Sequence, residues 1–318
     1  MIYVDFNGRC GDQFFQYAFA RKIQLYLRNK EPLNFNFYNQ ERWRKKTNND
    51  SFRNDLQFFH VVENNSFVSE INNFEKYGSK HQKELVKKYD FWRKVSAKLK
   101  VRFFARSYQK KLQRNGLYFD DEYFDFFKYP KTNIDVFIRG YFEDYKNFYE
   151  GSLRDAILQE LKPKQELRPE YLEFLNKIKN CNSVCISLRS WKEVKDDSST
   201  FNSRMICSKQ YYEEAIKIIK EKFSDAVLFI FSDDIEWAKQ TLGSIDNVYF
   251  ESGDNTIEEK IILMSACKHF VIANSSFSWW VQYLSTNINK TIISPDRWYN
   301  DNNDTRIIHK NWIIIKTF

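Results

Sequence analysis

Glycine is scarce in this sequence, eight residues in 318, and proline scarcer at five. Neither is concentrated, and no low-complexity tract or internal repeat occurs, so each glycine marks a place where the backbone needs freedom. No run of about eighteen apolar residues is present, which excludes a membrane-spanning helix on sequence grounds. Cysteine occurs five times, at positions 10, 181, 185, 207 and 267, without paired metal spacing. Cys181 and Cys185 alone are too sparse for zinc, and an odd count fits a reducing compartment better than a disulfide framework. The start, MIYVDFNGRCGDQ, reads as a strand and a turn without signal-peptide anatomy, so the expected location is the cytoplasm. Histidine is rare as well, four in all. None is placed as a catalytic base; His269 precedes a strand and reads as structural.

What is present is apolar and aromatic. Hydrophobic residues make up 42% and aromatics 18%, enough to core one large or two medium domains and to exclude general disorder. Net charge is +8 but unevenly spread. Residues 80–114 carry thirteen Lys/Arg against Glu84 and Asp90, 13 − 2 = +11, leaving 8 − 11 = −3 for the rest. Within them Leu85, Trp92, Val95, Leu99 and Phe103 fall on one helical face. A basic amphipathic helix of this kind can rest on anionic lipid, or its stripe can simply pack inward while its charges face water. The aromatics follow helical spacing instead of alternating with basic residues on a sheet face, so no nucleic-acid partner is expected.

Along the chain, MIYVDF reads as a strand, Gly8 and Gly11 as a turn, and DQFFQYAFARKIQLYL as a helix. Residues 40–130 are polar and read mostly as helices and loops. IDVFIRG is a strand with a helix after Gly140, and LKPKQELRPE (161–170) is the best linker. A regular alternation follows: strands SVCISL, AVLFIF, NVYFE, HFVIAN and TIISP, with helices KQYYEEAIKIIKEKF, IEWAKQTL and IEEKIILMSAC between them. The expected class is α/β with a parallel doubly wound sheet, in two domains, 1–160 and 161–318, a last helix returning to the first.

Ligands of such sheets bind beyond the carboxyl ends of the strands. Three of those ends carry suitable chemistry. One ends in Arg189, able to grip phosphate through its fork of donors. Another ends in Asp233 and Asp234; carboxylates repel a diphosphate, so these suit a base or ribose, and the paired N–H groups of guanine in particular. Asp234 also suits an N-cap of the next helix. The third end, HFVIANSSFSWWVQYLS, changes from a buried strand to an aromatic helix at Ser275 and Ser276. Both are good caps, and a helix start offers free N–H groups to phosphate.

Five blocks, GRCGDQFFQYAFARKIQLYL, GYFEDYKNF, YYEEAIKII, FIFSDDIEWAK and LMSACKHFVIANSSFSWW, occur in the order found in bacterial α-1,2-fucosyltransferases of glycosyltransferase family 11. The sequence resembles that family from residue 2 to about 312. The resemblance implies a GT-B type fold of two Rossmann-like domains facing a cleft, the N-terminal one on the acceptor side and the C-terminal one holding the donor. It implies GDP-β-L-fucose as donor, the 2-hydroxyl of a galactoside as acceptor, inversion at the anomeric carbon and no bound metal or cofactor. The acceptor would be a galactose-containing oligosaccharide or lipid-linked glycan, built at the inner membrane face.

By the same resemblance, the family's Gly-Gly-Leu-Gly-Asn-Gln turn is Gly8 to Gln13, making Gly11 and Gln13 donor contacts and Asp12 a candidate base. Its Asn-Ser-Ser/Thr-Phe-Ser-Trp block is Asn274 to Trp279, with Asn274, Ser275, Ser276 and Phe277 at the donor. Its His-Ile-Arg-Arg-Gly-Asp-Tyr signature falls on SLRSWKE. Arg189 is kept; Ser187 stands for the His, Ser190 for the second Arg, and Trp191-Lys192 for Gly-Asp. Lys192 is a candidate for the lost charge, and Asp196 and Asp197 are alternative bases. The departures leave two further readings: another nucleotide-sugar donor, or a non-catalytic carbohydrate binder.

Overall fold

The computed structural model describes residues 1–28, 33–67, 71–99, 103–120, 127–300 and 306–317. The chain forms two compact units, Met1–Leu161 and Lys162–Phe318, each built on one parallel sheet. In the first, β1 (Ile2–Asp5) is buried at every position, as a central parallel strand must be. It turns at Gly8, where φ is +70° and an added Cβ would lie 2.1 Å from the Asp12 carboxylate, and enters α1 (Cys10–Tyr26). Phe14, Phe15, Tyr17 and Phe19 of that helix are fully buried.

β2 (Leu33–Asn36), α2 (Tyr38–Thr47), β3 (Glu63–Phe67), α3 (Asn73–Tyr77), α4 (Lys80–Leu99), α5 (Phe103–Arg114), β4 (Leu117–Asp120), β5 (Val136–Gly140) and α6 (Gly151–Glu160) follow. The sheet order is β3-β2-β1-β5-β4. Residues 40–130, mostly helices and loops as the sequence suggests, also hold two strands that no motif there marks, β3 and β4. No helix starts at Gly140 either; a single 3₁₀ turn at Tyr145–Asn147 comes before α6.

The basic segment 80–114 is two helices packed on each other, not one. Leu85 and Tyr89 of α4 and Leu112 of α5 join Phe74, Leu117 and Phe137 in a core cluster. Trp92 stacks on Tyr108 at 6.5 Å between ring centroids. The apolar stripe therefore packs inward at these positions; the side chains of Leu99 and Phe103 lie outside the described residues.

The second unit runs α7 (Leu172–Asn180), β6 (Asn182–Leu188), α8 (Ser198–Arg204), α9 (Lys209–Lys222), β7 (Ala226–Ser232), α10 (Ile235–Leu242), β8 (Val248–Phe250), α11 (Ile257–Ser265), β9 (His269–Val271), α12 (Ser276–Leu284), β10 (Ile292–Pro295) and β11 (Ile313–Ile315). Its order is β11-β10-β9-β6-β7-β8. The chain ends in a strand of this sheet, paired parallel with β10, and not in a helix returning to the first unit. Val184, Ile186 and Leu188 of β6, Leu228 and Ile230 of β7, and Tyr212, Ala215 and Ile219 of α9 share one core. From β6 the chain builds outward through β7 and β8 on one side and β9, β10 and β11 on the other. The sheet reverses between β6 and β9, which is where open α/β sheets leave a crevice. The architecture is the α/β, GT-B type of two Rossmann-like units.

Candidate functional site

Arg189 follows directly on β6, and its guanidinium is held by two carboxylates. Nη1 meets Asp233 at 2.8 Å, and Nη2 is paired with Glu193, one helical turn on. Its plane lies 4.8 Å from the Trp191 ring centre, and Arg204 approaches that ring at 5.0 Å. Trp191 has a φ of +53°, so the indole sits in the left-handed conformation at a position where the resembling family has glycine.

Asp233 also accepts the Ser190 N–H at 2.8 Å and the Ser190 hydroxyl at 2.9 Å. Burial pushes its carboxyl up, but Arg189 and the two Ser190 bonds outweigh that and hold it below the ordinary carboxylate range. Asp234 caps α10 through the Trp237 N–H at 3.0 Å, and its other oxygen lies 3.9 Å from Lys192 Nζ.

These residues border a cavity of about 410 Å³ at the carboxyl ends of β7 and β8. Lys192, Asp233, Asp234, Glu251, Ser252 and Lys260 all contribute to its wall. Glu251 is buried and accepts from the Ser232 N–H at 3.0 Å and from Lys260 at 2.8 Å; burial pushes its carboxyl up against the pull of Lys260. The size and the mixed polar wall suit a nucleoside-sized ligand.

The third strand end lies beside the first. Ser278, in the first turn of α12, meets Ser187 hydroxyl to hydroxyl at 2.7 Å, which ties the helix start to the end of β6 two residues before Arg189. Asn274 faces protein instead: its Nδ2 donates to the carbonyls of Arg204 at 2.8 Å and Trp298 at 2.9 Å. It thereby fixes the loops that shape this end of the sheet. Ser275 occupies the N-cap of α12 but makes no side-chain cap bond, so the N–H groups of the first turn are not closed off by its hydroxyl. Ser276 and Phe277 are half-buried in that turn.

Gly11, Asp12 and Gln13 belong to the first unit. Asp12 accepts the Arg9 N–H at 3.0 Å as part of a capping box on α1. Gln13 is fully buried, donating to the Arg53 carbonyl at 2.7 Å and accepting from the Asp55 N–H at 3.0 Å. Gly11 is buried within the helix. Asp197 caps α8, accepting from the N–H and hydroxyl of Thr200, and Asp196 is exposed.

So Arg189, Asp233, Asp234 and Lys192 come together, with the start of α12 adjoining, whereas Asn274 and Gln13 hold the scaffold. Sequence reasoning missed Glu193, Glu251 and Lys260. The first had a signal, an acid at i+4 from Arg189; the other two become neighbours only through the packing of α11 against the sheet.

The family model for glycosyl transferase family 11 matches residues 1–316. Among curated proteins, the chain is 28% identical over 177 residues to the O-antigen biosynthesis glycosyltransferase WbnK of Escherichia coli, a match covering 52% of this chain and 58% of that protein. It is 37% identical over 131 residues to an alpha-1,2-colitosyltransferase of Escherichia coli, covering 40% of this chain and 44% of that one. The aligned stretches therefore span about half the length of these relatives. Among solved structures, NodZ alpha-1,6-fucosyltransferase soaked with GDP-fucose superposes with a TM-score of 0.50 at 13% identity, covering 93% of this chain and 94% of that one. That likeness is one of fold.

Proposed function

The chain belongs to glycosyl transferase family 11, and from that premise we infer that it transfers L-fucose from GDP-β-L-fucose to the 2-hydroxyl of a galactoside, inverting the anomeric carbon without a metal. The observation that carries the reading is that Arg189 and Lys192 gather with Asp233 and Asp234 beside a nucleoside-sized cavity, just past the end of β6 that the Ser187–Ser278 bond ties to the start of α12. The cavity takes the nucleoside, with Asp234 on its wall as acceptor for the paired donors of guanine. The arginine fork and the helix N–H groups meet the diphosphate, where negative charge builds as GDP leaves. The first unit takes the acceptor; whether the acceptor's proton goes to Asp12 or leaves late in a strongly dissociative transition state is what Asp12→Asn decides. The likeness to an O-antigen glycosyltransferase supports a galactose-containing oligosaccharide or lipid-linked glycan as acceptor, in surface-glycan synthesis.

A second reading keeps the chemistry and changes the sugar. Colitose is fucose without its 3-hydroxyl, and a colitosyltransferase is among the relatives. The signature departs from the family at Ser187 and Ser190, beside the expected position of the donor.

Both readings predict guanine preference. At about a hundredfold excess over Kd, GDP should raise the melting temperature by roughly 5–10 °C, and UDP should do little at the same concentration. Equal stabilisation by UDP would overturn the donor class. Turnover with GDP-fucose against GDP-colitose then separates the two sugars, and no turnover with any nucleotide sugar would leave a non-catalytic binder.

A further inference from the structure

The side of α4 opposite its core contacts is a straight cationic stripe. At roughly 100° per residue, Lys80, Glu84, Lys87, Phe91, Lys94 and Lys98 fall within roughly 40° of one line along the helix. All six are exposed, and Phe91 is exposed over 60% of its surface. Gln82, Leu85 and Tyr89, on the other side, are buried. With Glu84 the one acid among four lysines there, the stripe sums to 4 − 1 = +3, and exposed Lys88 beside it adds one more. Among the described residues, no ion pair engages Lys80, Lys87, Lys88, Lys94 or Lys98. Leu85 and Trp92 of the apolar stripe pack inward, so this outward face is a separate surface of the helix.

We propose that the outer face of α4 docks the protein on an anionic lipid surface, with Phe91 entering the headgroup layer and the lysines over the phosphates. The helix has 20 residues, a straight span of roughly 30 Å, which matches a flat surface. A single aromatic in the middle of the line suits insertion at a headgroup boundary. Nucleic acid would instead favour several aromatics as stacking platforms among the charges. This inference is independent of the donor reading, since no residue of the second unit enters it.

Flotation of the full chain with vesicles of phosphatidylglycerol and phosphatidylcholine, against phosphatidylcholine alone, tests it. Binding is expected only to the anionic vesicles, and raising the salt should remove it. Lys87→Glu with Lys94→Glu should weaken partitioning by roughly 30-fold or more, at about fivefold for each lysine lost before the repulsion of the new acids. Phe91→Ala should weaken it further on the wild-type background, and Phe91→Trp should show a blue-shifted emission when vesicles are added. Melting of each variant should match the parent, because these side chains face solvent. Absent binding at low salt, or equal binding by the charge-reversed variant, overturns the proposal. Tighter capture by single-stranded DNA than by anionic vesicles, lost in the same variants, also overturns it and assigns the stripe to a polyanion.

Discussion

The guanidinium of Arg189 meets Asp233 and Glu193 with side chains only 18%, 13% and 19% exposed. A diphosphate approaching it must therefore compete with a carboxylate already in place. Asp233 is the firmer partner, since Ser190 holds it through two further bonds; Glu193 sits one turn along the chain and is the one that can yield. Removing its charge while keeping its shape should thus help the ligand. Glu193→Gln is expected to tighten GDP by roughly five- to tenfold, about 1 kcal/mol, as read by titration calorimetry. Weaker binding would mean that Glu193 aims the arginine and does not compete for it. Arg189→Ala should cut kcat by roughly 10²-fold or more through lost leaving-group stabilisation, and lysine should restore little because it has no fork.

At the scale of the element, the turn from β1 into α1 shows a side chain with two candidate duties. Asp12 accepts the Arg9 N–H in the capping box, and the tight approach at Gly8 is built around its carboxylate. Asp12→Asn separates the duties, because an amide oxygen can accept the same N–H but cannot take an acceptor proton. The cap accounts for the geometry, and the resembling family has Asn there, so both melting temperature and kcat should be retained. A fall in kcat of roughly 10² with unchanged melting would instead make Asp12 the base.

The same scale explains what the sequence could and could not tell. β6, β7 and α9 were legible because long apolar runs and a clear helical period leave one solution each. β3 (ENNSF) has little of the apolar character that marks a strand, and β11 is three residues long. Both become strands by pairing with neighbours already in place. The helices Lys80–Leu99 and Phe103–Arg114 read as one because the sequence joining them has no Gly, Pro or cap residue. Arg189, Asp233 and Asp234 were visible as charges ending apolar runs. The tasks of Asn274 and Gln13, held by backbone carbonyls far along the chain, belong to tertiary structure alone.

Over the whole molecule, charge is divided between a cationic segment in the first unit, +11 over residues 80–114, and the remainder at −3. The unit that holds the candidate site, residues 162–318, carries 21 Lys/Arg and 21 Asp/Glu, 21 − 21 = 0, so its net charge does not draw GDP in, and local groups must offset the charge of the diphosphate. Either a divalent ion or fixed cations and helix N–H groups can do that. Among the described residues, no group of three or more His, Cys, Asp or Glu is arranged to hold a metal. The carboxylates nearest the site also have protein partners: Asp233 and Glu193 share Arg189, Asp234 caps α10, and Glu251 meets Lys260. An ion bound there would have to break at least one of these pairs. We therefore expect turnover in excess EDTA to stay within about twofold of that in Mg²⁺ or Mn²⁺. The check is an initial-rate series with chelator and metal add-back, run beside Glu193→Gln. A strict metal requirement, abolished or weakened by that substitution, would place a cation between Asp233 and Glu193 and turn Arg189 from a phosphate ligand into its stand-in.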